Sequence, residues 1–76
     1  MKSPNSALGR IIADLRQAAA LSQEELAERA ELHRTYISQL ERGLKSPTVV
    51  TLCQIAKALN TTPSKIMKQL EIDYSA

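Results

Sequence analysis

Apolar residues recur every three or four positions along most of this chain, and two-residue alternation is nearly absent. Leu8, Ile11, Ile12 and Leu15 fall on one face of a helix predicted from about residue 6 to residue 19, with Asn5 or Ser6 as its cap. A second helix starts at Ser22. Ser22-Gln23-Glu24-Glu25 has the form of a capping box, and the helix carries Leu26, Ala27 and Ala30 before ending near Ala30. The third runs from about His33 to Arg42, with Ile37 and Leu40 inward and Gly43 in the turn that follows. The fourth follows Ser46-Pro47, with Thr48 as cap and an apolar stripe of Val49, Leu52, Ile55, Ala56 and Leu59. Thr62-Pro63 reads as cap plus first-turn proline of a fifth helix, which carries Ile66, Met67 and Leu70. Residues 1–5 are expected to form an N-terminal arm and residues 71–76 a C-terminal tail.

Helices this short are marginal alone in water, so the pattern requires packing around a shared core. The prediction is an all-α fold, a compact bundle of five short helices forming one domain over residues 1–76. Only two aromatic residues occur, Tyr36 and Tyr74, so the core must be aliphatic. A net charge of +2 permits a nucleic-acid partner without arguing for one. One cysteine, Cys53, allows no internal disulfide and fits a reducing compartment. No signal peptide or membrane span is read, and the expected location is cytoplasmic.

Only about three residues, Glu31-Leu32-His33, separate the second and third helices. That link suits two helices crossing steeply, a helix-turn-helix, whose later helix can enter a DNA major groove. The third helix turns His33, Arg34, Thr35, Ser38 and Gln39 away from Ile37 and Leu40, with no carboxylate before Glu41. The second helix instead carries Glu24, Glu25 and Glu28, with Glu31 just beyond it. Arg reads guanine with two hydrogen bonds, Gln reads adenine, and a Thr methyl can meet that of thymine. A solvated polar face that touches nothing is an equal alternative on polarity alone.

Leu21-Ser22-Gln23-Glu24-Glu25-Leu26-Ala27, then Arg34-Thr35-Tyr36-Ile37-Ser38-Gln39-Leu40-Glu41-Arg42-Gly43, then Ser46-Pro47-Thr48 and Leu52 through Leu59, occur in that order. Together they resemble the Cro/C1-type helix-turn-helix family, also called the xenobiotic-response-element family. The resemblance covers about residues 7 to 70. That family includes phage repressors and the controller proteins of restriction–modification systems, and the Arg-Thr-Tyr-Ile-Ser run looks most like the controllers.

The resemblance implies base-edge contacts from Arg34, Thr35, Ser38 and Gln39, with His33 opening the recognition helix among them. It implies phosphate contacts from Gln23, Tyr36, Arg42, Lys45 and Thr48. Gln23 also matches a position that braces the recognition helix. Arg16 and Glu41 match an ion pair under that helix, the alternative being two independent surface charges. Met67, Ile72 and Tyr74 are expected at a dimer interface, with Ile66 and Leu70 partly inward. Two positions depart from the family pattern. Glu31 stands where glycine is usual, so the turn either avoids a positive φ or carries modest strain. His33 is a poorer cap than Ser or Asp.

The expected function is a homodimeric transcriptional regulator on a palindromic double-stranded DNA operator. Glu24, Glu25 and Glu28 offer acids that RNA polymerase could touch, though placement at a helix N-terminus explains them equally. The alternative is an antitoxin-like protein-interaction module that takes a toxin as partner and also binds DNA. An enzyme finds no support: there is no paired-acid, phosphate-loop or Ser/His/Asp pattern. No cofactor, metal or small-molecule ligand is expected. Cys53 reads as a small core or interface residue.

Overall fold

The computed structural model describes residues 3–75. Five helices follow one another: α1 (Pro4–Ala18), α2 (Gln23–Ala30), α3 (Arg34–Glu41), α4 (Val49–Ala58) and α5 (Pro63–Ser75). Their starts are written in the sequence as hydroxyl caps. The Ser3 side chain accepts the amide of Ser6 at 3.0 Å, with Pro4 in the first turn behind it. Ser22 and Glu25 complete the reciprocal capping box, at 3.0 and 2.9 Å. Thr48 caps α4 by accepting the Thr51 amide, and Thr62 accepts the Lys65 amide at the start of α5. Each such bond is worth about 1 kcal/mol.

Both ends of the chain differ from expectation. α1 begins at Pro4, with Ser3 as cap in place of Asn5 or Ser6, because a proline is favoured at a first helical position. Of the expected N-terminal arm, Met1 and Lys2 lie outside the described residues, while Pro4 and Asn5 are already helical. The expected tail is helical through Ser75, and Ala76 lies outside the described residues. No glycine or proline follows Leu70 to stop the helix, and Gln69 donates to Asp73 one turn on, at 2.8 Å.

Helix ends share a device. After α1, α2, α3 and α4 the chain turns on one residue in the left-handed region: Ala20, Glu31, Gly43 and Asn60. In each case the next residue's amide reaches back five positions: Leu21 to Arg16, Leu32 to Ala27, Leu44 to Gln39 and Thr61 to Ala56, all at 2.8–3.1 Å. This satisfies carbonyls that a helix end leaves open.

α1 packs on α3 and α5, α2 on α3 and α4, and α4 on α5. The core where they meet is aliphatic. Ile12, Leu26, Ile37, Leu40, Ile55 and Ile66 are fully buried, so every helix contributes at least one. Burying one such side chain stabilises by about 1.5–3 kcal/mol. Val49 departs from its expected place in the stripe of α4. It is 79% exposed, because it opens the helix before the segment that packs. Cys53 is exposed, which removes it from the core. No described helix is long and apolar enough to cross a membrane.

Candidate nucleic-acid interface

The geometry of the site begins with the turn between α2 and α3. Glu31 adopts φ 60° and ψ 42°, so of the two alternatives the turn takes the positive φ. That conformation costs a residue with a Cβ about 1–2 kcal/mol. His33 then takes an extended conformation as N-cap of α3, exposed and with no side-chain bond to the helix amides. Its ring cannot do the work of a Ser or Asp oxygen there.

Along α3, Ile37 and Leu40 are buried and pin the helix to the core. Arg34 and Thr35 are exposed, while Ser38 and Gln39 are half-buried. Tyr36 is half-buried with its ring packed against the core cluster. The only acid on α3, Glu41, does not join this outer face: its side chain is 6% exposed. Arg16 Nε donates to Glu41 Oε2 at 2.7 Å and Nη2 to Oε1 at 3.0 Å. Such a two-pronged contact is the strong form of an Arg–carboxylate pair. The third nitrogen of Arg16, Nη1, donates to the Leu21 carbonyl at 2.8 Å. Gln23 Nε2 donates to Glu41 Oε1 at 2.9 Å.

One carboxylate thus ties α1, the first turn of α2 and the end of α3 together. The hydrogen bond to Glu41 raises the Arg16 pKa further above its ordinary value, outweighing the opposing effect of burial, so the guanidinium stays charged. Gln23 is half-buried and committed to this clamp by one N–H. At the capping box, the Ser22 amide holds the Glu25 carboxyl below the ordinary glutamate range.

Gly9 completes the joint. A Cβ on it would overlap the Leu40 carbonyl oxygen and stand 2.7 Å from that of Glu41. Only a residue without a side chain lets α1 come this close to the end of α3. The sequence reading passed over Gly9; a glycine inside an otherwise apolar helical run was its available signal.

Beyond α3, Arg42 is the C-cap residue and Lys45 sits in the following loop, both exposed. Thr48 is exposed, and its hydroxyl oxygen is engaged in capping α4. On α5, Met67, Ile72 and Tyr74 are 45%, 56% and 49% exposed, whereas Ile66 is buried and Leu70 half-buried. The structure therefore brings Arg34, Thr35, Ser38 and Gln39 together on one helix. It puts Met67, Ile72 and Tyr74 on another. Among the described residues no three potential metal ligands cluster.

A short α2, a turn on Glu31 and an α3 with a carboxylate-free outer face is a helix-turn-helix. Comparison with family models matches residues 12–66 to the helix-turn-helix family. The chain belongs to that family, in its Cro/C1-type branch. This helix-turn-helix chain is 53% identical over 47 residues to control protein C.SmaI of Serratia marcescens, an overlap of 62% of this chain and 56% of that protein. It is 37% identical over 65 residues to the ImmF control region 10 kDa protein of Bacillus phage phi105, covering 86% of this chain and 71% of that one. The chain spans 56% of C.SmaI and 39% of an HTH-type transcriptional regulator from Mycobacterium tuberculosis.

Among solved structures it superposes on the restriction–modification controller C.AhdI from Aeromonas hydrophila with a TM-score of 0.79 and 34% identity, covering 80% of this chain and 92% of that one. It also superposes on controller protein C.Esp1396I, solved as a tetramer in complex with its natural 35 base-pair operator. That match has a TM-score of 0.87 and 28% identity and covers the whole of both chains.

Proposed function

We propose that this chain is a sequence-specific, double-stranded-DNA-binding transcriptional regulator that acts as a homodimer on a palindromic operator, each copy laying α3 in the major groove. One observation carries the reading. The solvent face of α3 offers Arg34, Thr35, Ser38 and Gln39, and its one acid is folded inward and held by Arg16 and Gln23. A surface meant for phosphates and base edges needs that combination. A merely solvated helix has no reason to bury its only carboxylate, at the desolvation cost that burial carries.

Arg34 and Gln39 read bases through paired hydrogen bonds, and Thr35 and Ser38 add shorter contacts. His33 stands at the mouth of the groove. Gln23, Tyr36, Arg42, Lys45 and Thr48 hold flanking phosphates and set register. With one N–H of Gln23 held by Glu41, its other remains to donate outward. Affinity comes mostly from phosphates and falls steeply with salt. The two half-sites stand about 34–36 Å apart, one turn of DNA. The similarity to controller proteins and phage control proteins supports regulation of transcription, with no catalytic step.

Selection of bound duplexes from a random pool tests the reading. The expected result is a palindromic consensus whose half-sites lie one helical turn apart. Enrichment of no sequence, or of single-stranded DNA, overturns it.

A further inference from the structure

Four of the five helices begin under a hydroxyl cap, from Ser3, Ser22, Thr48 or Thr62; α3 does not. Its N-cap is His33, the only histidine of the chain. A Ser, Thr or Asp oxygen would accept an open amide there, and the ring gives that bond up. The ring is exposed, and among the described residues it makes no ion pair either. Exposed Arg34 and Thr35 follow it directly, on the face proposed to meet DNA. Histidine is the one side chain whose ordinary titration changes its charge between pH 5 and 8. The charged groups near the turn are Glu28 and Arg29 in the last turn of α2, Glu31 after them and Arg34 at the head of α3. From α4, Lys57 shares a groove with Arg29 and Glu31. Of the charges on α1, Arg16 is engaged by Glu41, about 12 Å further along α3, and Arg10 pairs with Asp14. That leaves three cations to two acids around the turn, with no carboxylate bonded to the ring. The protein itself supplies no bonded anion to hold a proton on His33. A DNA phosphate is such an anion.

We infer that protonation of His33 tightens the grip on DNA, so that operator affinity rises as pH falls. The inference rests on the DNA-binding reading and adds the proton as its effector. The imidazolium donates a charge-assisted hydrogen bond to a phosphate oxygen beside the start of α3. The neutral ring has one N–H and no charge to offer. Linkage gives the sign. A group that holds its proton more firmly in a complex than in the free protein takes up a proton on binding, and affinity then grows with acidity. A ring that accepted a hydrogen bond from a base would have to be neutral, and affinity would fall with acidity.

The test is the affinity of the full chain for the duplex enriched by selection, measured by fluorescence anisotropy at pH 7.5 and 5.5 and at several salt concentrations. Circular dichroism at both pH values follows folding. With two rings per duplex, affinity is expected to rise about tenfold or more from pH 7.5 to 5.5. One more phosphate neutralised in each half-site also steepens the fall of log affinity with log salt, by about 0.9 per half-site. His33→Gln keeps an exposed polar side chain that takes no proton, and its affinity is expected to change less than about twofold over the same range. His33→Arg stays charged, so its salt dependence is expected to be steep at both pH values. The inference is overturned if the parent's affinity is level or falls with acidity, or if His33→Gln keeps the parent's rise. A parent that binds the enriched duplex equally at both pH values retains the regulator and loses the proton link. A chain that enriches no duplex at either pH loses both.

Discussion

The two halves of this molecule are finished to different degrees. Of the thirteen buried apolar residues described, ten precede Glu41; only Ile55, Ala56 and Ile66 follow it. The exposed large apolar residues run the other way: Leu44, Val49, Val50, Met67, Ile72 and Tyr74 all lie beyond Gly43. The half that carries α3 supplies most of the shared core and adds a buried ionic clamp. The other half leaves six large apolar side chains exposed. α3 is pinned by buried residues and the clamp, and the remainder leaves apolar side chains exposed.

The largest effect should come from breaking the clamp. Glu41→Ala leaves Arg16 mostly buried, charged and without its carboxylate. Removing one partner of such a pair costs about 3–5 kcal/mol. In a domain this small each kcal/mol moves the melting temperature by about 4–8 °C, so thermal melting should fall by well over 10 °C. Tyr74→Gln in the other half should leave monomer stability nearly unchanged. Equal losses from both variants would erase the contrast between the halves.

Gly9→Ala comes next. The added methyl meets backbone carbonyls, not a flexible side chain, so α1 must shift away from α3. Overpacking of this kind costs about 1–3 kcal/mol, readable by urea denaturation. Stability equal to the parent would mean that the α1–α3 joint yields, and that the clamp alone fixes it.

Arg34→Ala separates tool from scaffold. Arg34 is exposed, and no protein partner holds its side chain among the bonds described. Melting should stay constant while DNA binding weakens by about 1–3 kcal/mol and base choice relaxes at one operator position. A uniform loss across all sequences would reassign Arg34 to phosphate holding.

How far the chain could be read in advance follows the same division. The five helices, the capping box and the inward positions of α2 and α3 rest on local spacing and local caps, so they stand in the sequence. The start of α1 was legible too, since Ser3-Pro4 has the same form as Thr62-Pro63. The clamp joins residues twenty-five apart, and periodicity is silent about contacts of that range; only the resemblance pointed to it. Val49 was misjudged for another reason. An apolar residue reads as core wherever it falls near the stripe, and periodicity within one helix does not say whether another helix reaches it.

The turns sharpen the comparison at its finest scale. In the α3-bearing half the left-handed positions are held by Ala20 and Glu31, whose Cβ atoms make that conformation unfavourable. Later in the chain they are held by Gly43 and Asn60, residues suited to it. The half that holds the clamp can impose strain on its turns because its helices are fixed by other bonds; the other half turns on residues that adopt the conformation willingly. Ala20→Gly and Glu31→Gly should each relieve strain of about 1 kcal/mol. Each gives part of it back through the greater freedom of glycine in the unfolded chain. The net gain should be about 0.5 kcal/mol, a rise of a few degrees in melting temperature. Asn60→Gly should gain less, because asparagine already tolerates the conformation. If Asn60→Gly stabilises as much as Glu31→Gly, strain is spread evenly along the chain, and tight packing is not what allows Ala20 and Glu31 to hold their turns.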